Sequence, residues 1–120
     1  MNRRVLAAVD DLFFASKIRG TAESVNVVVD FTKSADAVFD IARADVPSLI
    51  ILDLNSERID TLALARRLKA DEALRAVPLV GFFSHVQTEL QKSAKDSGVD
   101  HVLPRSVFTK RLAEILRGEL

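Results

Sequence analysis

A three-layer α/β sandwich, with a five-stranded parallel sheet between two layers of helices, is the fold class this sequence predicts. Three observations predict it. Short apolar runs alternate with amphipathic segments along the chain, the signature of a parallel sheet covered by helices on both faces. One run, residues 48–52, is apolar after its first residue with no polar alternation, as a central strand buried on both faces requires. Hydrophobic residues, mostly Val, Leu, Ile and Ala, make up 48% of 120 residues. That suffices for one core and leaves little room for a second domain, so residues 1–120 are read as a single domain.

The elements follow in order. Residues 5–9 form a buried-strand pattern, Val-Leu-Ala-Ala-Val. A helix follows through Arg19, with Asp11 as a candidate cap, Phe14 and Ile18 on one face, and Gly20 as a stop. Residues 25–29 are Val-rich and predict a second strand. Residues 32–44 predict a second helix, with Thr32 or Ser34 as cap and Val38, Ile41 and Ala42 facing inward. Val46-Pro47 breaks it, and the third strand ends at Asp53. Residues 55–60 form a polar loop before a third helix over residues 61–70, with Leu64, Ala65 and Leu68 on one stripe. Pro78 opens a fourth strand over residues 79–83. Val86, Leu90 and Ala94 mark a fourth helix ending before Gly98. Val102-Leu103 is a short fifth strand, and Phe108, Leu112 and Ile115 mark one last helix. Five strands alternating with five helices predict a flavodoxin-like (βα)5 fold with sheet order 2-1-3-4-5, in which ligands sit beyond the carboxyl ends of the strands.

Composition excludes several functions. Lys plus Arg and Asp plus Glu both number 17, so no basic face for nucleic acid and no polybasic membrane anchor is expected. There is no Cys, hence no disulfide, thiolate metal site or cysteine nucleophile. Tyr and Trp are absent too, which removes the usual stacking partners of single-stranded nucleic acid. The apolar run at residues 5–9 is too short for a signal peptide, and no segment approaches the ~20 apolar residues of a membrane span. A cytoplasmic location is the expectation. The basic run Arg66-Arg67 with Lys69 is read as a solvated helix face.

Three carboxylates fall where the fold places a site. Asp10 and Asp11 follow the first strand and Asp53 follows the third, and the expected order makes those strands neighbours. Like charges so gathered repel unless a cation or proton relieves them. Oxygen donors without His or Cys suit Mg²⁺ or another hard cation. Asn55, two residues beyond Asp53, can add a backbone carbonyl. Taken singly, each acid could equally be a helix cap.

Val9-Asp10-Asp11, Ile51-Leu52-Asp53-Leu54-Asn55, Val77-Pro78-Leu79-Val80 and Gly98-Val99-Asp100 stand in the order and spacing of the receiver domains of bacterial response regulators (CheY-like), which the chain resembles along its whole length. The resemblance implies that Asp10, Asp11, Asp53 and the Asn55 carbonyl hold Mg²⁺. It also implies that Asp53 accepts the phosphoryl group of a phospho-histidine on a partner, a sensor histidine kinase or phosphotransfer protein. The metal then neutralises charge on the transferring group.

The pattern departs from the family at its switch residues. The Thr or Ser that contacts the phosphoryl group aligns with Phe83, and Ser84 is one residue late, which in a strand points a side chain to the other face; because strand ends bend, Ser84 is kept as a candidate phosphoryl contact. Arg105 stands for the family Lys, a planar fork in place of a point charge that can either pair permanently with the acidic cluster or bind a phosphoryl group bidentately, and the Lys-Pro pair is absent. The switch aromatic aligns with Val102. The loop after the acceptor reads Ser56-Glu57 where the family has Met-Pro. Its closing Gly is Thr61, which tolerates positive φ poorly, so that loop is expected to differ in shape. His85 is read as a loop residue capping the fourth helix, with a pocket contact as the sharper alternative. Of Phe82 and Phe83, one is expected at the surface as a partner site.

Two functions follow from these departures. The first is a stand-alone receiver in a two-component phosphorelay, accepting phosphoryl on Asp53 and acting through a downstream protein partner. The second is a phosphorylation-independent pseudo-receiver, an interaction module or homodimer built on the last two helices and the strand between them. A Mg-dependent phosphatase of the haloacid dehalogenase type is disfavoured because Asp53 is followed by Asn55 and no cap domain fits. A nucleotide site is disfavoured because no Gly-rich loop exists. The chain is therefore not expected to be an enzyme beyond self-phosphotransfer and autodephosphorylation.

Overall fold

The structure, a computed structural model, describes residues 3–84 and 87–120. Its strands are β1 (Arg3–Ala8), β2 (Val27–Thr32), β3 (Leu49–Asp53), β4 (Leu79–Phe83) and β5 (His101–Pro104). They pair in parallel in the order β2-β1-β3-β4-β5, the order expected. Every residue of β3 and of β4 is buried, because apolar side chains leave these strands on both faces. Alternate residues feed two cores. Leu6, Ile50, Leu52 and Phe83 pack with helices α2 (Ala35–Ala44), α3 (Thr61–Ala70) and α4 (Thr88–Asp96). Val5, Ile51, Val80 and Phe82 pack with α1 (Leu12–Ser24), α5 (Arg105–Lys110) and α6 (Leu112–Leu116).

The caps expected from sequence are present. Asp11 accepts from the N–H of Phe14 at 3.0 Å and Ser34 from that of Ala37 at 3.3 Å, each satisfying a helix-end donor that would otherwise lack a partner. Arg66 and Arg67 of the basic run on α3 are exposed, as a solvated face requires, and Lys69 is half-buried. Arg67 pairs with Asp36, Lys69 with Asp100, and Arg66 donates to Ser97 Oγ, tying α3 to its neighbours.

Four expectations are corrected. Gly20 does not stop α1, which runs on to Ser24. Ala22, one turn beyond buried Ile18, prolongs the apolar stripe, and that burial outweighs a mid-helix glycine's penalty of about 1 kcal/mol. The chain reverses instead at Asn26, whose φ is 57°, so β2 starts two residues later than the Val run suggested. The last helix is two segments, α5 and α6, parted by Arg111 at φ −103° and ψ 13°. Arg111 still donates to the Val107 carbonyl, and Ile115 to that of Arg111. The apolar spacing therefore continues through a one-residue break and cannot reveal it. Phe82 and Phe83 are both buried, at 1% and 4% exposure, one in each core; the sheet has helices over both faces, so neither residue has a free side. Val86 lies outside the described residues, while Leu90 and Ala94 pack inward as expected.

Gly20 is exposed, and a Cβ built on it meets nothing within 4 Å. Gly20→Ala is expected to stabilise the fold by about 0.5–1 kcal/mol, by restricting the unfolded chain without a clash. Urea unfolding measures this, and a loss of stability would contradict the continuous helix.

Candidate functional site

Strand register brings the acids together. Ala8 pairs with Leu52, so the residues that follow, Asp10 and Asp11 on one strand and Asp53 on the other, emerge at the same carboxyl edge. At the far side, Phe83 pairs with Pro104, so Ser84 and Arg105, each one residue on, meet there as well. Asp10, Asp11, Asp53, Asn55, Ser84 and Arg105 all line one open cleft of about 440 Å³, with Ser56, Glu57 and Arg58 on its loop side. Ser84 lies beyond the strand, in a bend, so the two-face rule no longer binds it. Its Oγ stands 3.5 Å from Arg105 Nη1.

Asp53 is held by its own loop. Its Oδ1 accepts from the Asn55 N–H at 2.9 Å, and its carbonyl accepts from the Thr61 hydroxyl at 3.0 Å and the Ser56 N–H at 3.3 Å. The Asn55 side chain reaches across to accept from the Ser84 N–H at 2.6 Å. Thr61 lies outside the positive-φ region and forms the buried first residue of α3. Gly81, on the adjacent strand, leaves room for Leu54, whose methyl groups sit 2.9 Å from where a Cβ would stand.

The electrostatics are uneven. Burial pushes the Asp53 carboxyl above the ordinary carboxylate value; the Asn55 N–H opposes this, the charges of Asp10 and Asp11 add to it, and Arg105 opposes it. Asp11 is held below the ordinary value, first by its cap bond from Phe14 and then, against some desolvation, by Arg105. Arg105 Nη2 lies 3.4 Å from Asp11 Oδ2. Its guanidinium also sits 4.1 Å over the Phe14 ring, a cation–π contact. Arg58, 70% exposed, makes a long 3.9 Å pair with Asp10, which contributes little.

The donor chemistry fits a hard cation. The acids are oxygen-only, they gather at one sheet edge, and Asp10 and Asp11 burden Asp53 with like charge, which a divalent ion would relieve. As the side chains stand, no group of three or more His, Cys, Asp or Glu among the described residues is arranged to hold a metal ion. His85 lies outside the described residues.

Sequence reasoning missed four features. Thr61 was read as a departure from a glycine, and it is the buried tie to the Asp53 carbonyl. Arg58 and Glu57 lie on the cleft, where only the folded loop puts them. The exposed aromatic is Phe13, 90% exposed beside the 70% exposed Leu12, directly after Asp11. The signal was the i, i+4 spacing of Phe14, Ile18 and Ala22, which sets the buried stripe of α1 and leaves Leu12 and Phe13 off it.

No family model matches the chain. The polar-differentiation response regulator DivK of Brucella ovis is 22% identical over 120 residues, covering 100% of this chain and 98% of that one. DivK of Brucella anthropi is 20% identical over the same coverage. Among solved structures, the chemotaxis response regulator CheY4 of Vibrio cholerae superposes with a TM-score of 0.85 at 16% identity, covering 100% of both chains. The phosphorylated cyanobacterial phytochrome response regulator RcpA gives 0.81 at 20% identity, covering 98% of this chain and 91% of that one. The chain thus has the receiver fold, and its similarity to response regulators runs its whole length.

The raised Asp53 value has a definite sign. At low pH the carboxyl is protonated in both states and imposes no penalty; as pH rises from the ordinary carboxylate value through the folded one, the unfolded chain ionises first and stability is lost. Asp53→Asn is therefore expected to melt at a higher temperature than the native chain at pH 7, with the gap closing by about pH 3. Melting curves across pH measure it, and an equal or lower midpoint at pH 7 would contradict a strained carboxylate.

Proposed function

We propose that this chain is a receiver in two-component signalling, a cytoplasmic protein that accepts a phosphoryl group on Asp53 from a phospho-histidine of a sensor kinase or phosphotransfer partner and passes the signal to a downstream protein. The observation that carries this reading is Asp53 itself. It is a carboxylate 8% exposed, aimed into an acidic cleft, crowded by two like charges and fixed through its own carbonyl.

The chemistry is phosphoryl transfer, not turnover of a substrate. An Asp53 carboxylate oxygen attacks phosphorus, a P–O bond forms as the P–N bond to the partner's imidazole breaks, and the imidazole nitrogen keeps the electron pair and takes up a proton. A carboxylate held above its ordinary value is the more basic nucleophile. Asp10, Asp11, Asp53 and the Asn55 carbonyl would hold Mg²⁺, which when bound neutralises charge on the phosphoryl oxygens. Ser84 Oγ and the Arg105 fork flank the cleft and supply donors to those oxygens. With Phe83 buried in the core at the position of the family hydroxyl, Ser84 is the hydroxyl left to serve.

A second reading, a phosphorylation-independent interaction module or homodimer, is favoured by one observation. Arg105 already pairs with Asp11, so the cleft is partly neutralised without a metal. Incubation with acetyl phosphate and Mg²⁺ separates the two. The native chain is expected to gain a base- and hydroxylamine-labile adduct of one phosphoryl group, and Asp53→Asn to gain none, by intact-mass measurement. A native chain that stays unmodified, with small donors and with a panel of phosphorylated kinases alike, supports the interaction module.

Phe13 offers a check on how a partner reaches Asp53. Burial of a ring this exposed against a partner is worth about 1–3 kcal/mol. Phe13→Ala is expected to slow transfer from a phosphorylated partner about tenfold or more while leaving transfer from acetyl phosphate and the melting temperature unchanged. Equal slowing with both donors would place the effect inside the cleft.

A further inference from the structure

The geometry points to Arg105 as a tethered counter-ion that occupies the acidic cleft and competes with a divalent cation for it. This rests on the proposed reading only in taking that cleft as the metal site. Three contacts hold the guanidinium in place. It lies 3.4 Å from Asp11 Oδ2, 3.5 Å from Ser84 Oγ and 4.1 Å over the Phe14 ring.

The Phe14 ring is itself fixed. Its centroid is 4.8 Å from that of Phe82 and 5.7 Å from that of Phe108, and Phe82 and Phe108 are 4.8 Å apart. All three rings are buried at 4% exposure or less. The guanidinium therefore rests on a rigid aromatic platform built from α1, β4 and α5. Asp11 is fixed from its other oxygen by the cap bond of α1. Asp11 is ordered by that cap bond and the guanidinium rests on the ring, so less side-chain freedom is lost on pairing than in a free surface ion pair.

A lysine would behave differently. Its ammonium is a compact charge on a flexible stem and cannot lay a planar face on the ring. An arginine at residue 105, over a phenylalanine at residue 14, is biased toward one seat, and that seat is beside a carboxylate the metal needs. A cation entering the cleft must displace it or share Asp11 with it. As the side chains stand, no three acids among the described residues are grouped to enclose an ion.

The test is Mg²⁺ binding to the unphosphorylated chain, followed by backbone amide shifts and by the rise in melting temperature with Mg²⁺. Arg105→Met keeps an apolar stem against Phe14 and removes the charge. Losing one unit charge at this range, partly screened by water, is expected to tighten Mg²⁺ binding about tenfold or more. Arg105→Lys is expected to fall between Arg105→Met and the native chain, and guards against a methionine variant that folds poorly. Equal Mg²⁺ affinity in all three proteins would overturn the proposal, as would a failure of every variant to bind. The outcome is separable from that of the phosphotransfer reading: a native chain that takes up phosphoryl while the variants show no gain sinks this inference alone, and tighter Mg²⁺ binding in a chain that never forms the adduct sinks only the other.

Discussion

Holding a carboxylate at the end of a strand buried on both faces is costly, because water that would solvate the charge is excluded by the same apolar side chains that make the strand stable. At Asp53 the cost is met only in part. One oxygen takes the Asn55 N–H, and the backbone beneath it is pinned by the Thr61 hydroxyl and the Ser56 N–H. Asn55 reaches to Ser84, Leu54 fills the space that Gly81 leaves open, and the loop to α3 takes its shape from these ties.

A second constraint links the cleft to the core on the other side. Phe14, Phe82 and Phe108 form a buried aromatic cluster contributed by α1, β4 and α5. Arg105 caps that cluster from the cleft side and meets Asp11 at its rim. Charge at the site is thereby connected to the packing of the helices that cover one sheet face. At the end of β4, Phe83 packs in the opposite core. Ser84, just beyond the strand where the backbone bends, is the hydroxyl that stands beside Arg105.

Much of this could be read before any coordinates. The strand order, the boundaries of α3 and β4, the caps at Asp11 and Ser34 and the sharing of one edge by Asp10, Asp11 and Asp53 all follow from apolar period and from strand ends. Those signals are local, or depend only on which strands are neighbours. The misreadings share a different cause. Gly20 looked like a stop because propensity was weighed without Ala22's burial. Thr61 looked like a loss because its hydroxyl partner, a carbonyl eight residues earlier, is invisible in sequence. One of Phe82 and Phe83 was assigned to the surface because the end of the strand was taken to open onto the pocket or the α4 surface, although helices were expected over both faces.

The sequence by itself determined the period of each element, and with it the parallel sheet, its two buried faces and the acids at its carboxyl edge, because those depend on side-chain chemistry repeating along the chain. Tertiary structure alone decided which cation answers the acids, which hydroxyl reaches the cleft and which aromatic meets solvent. Those outcomes turn on contacts of a few ångströms between residues up to 94 positions apart, as in Arg105 with Asp11. Strand register and helix placement set such distances, and no local pattern encodes them.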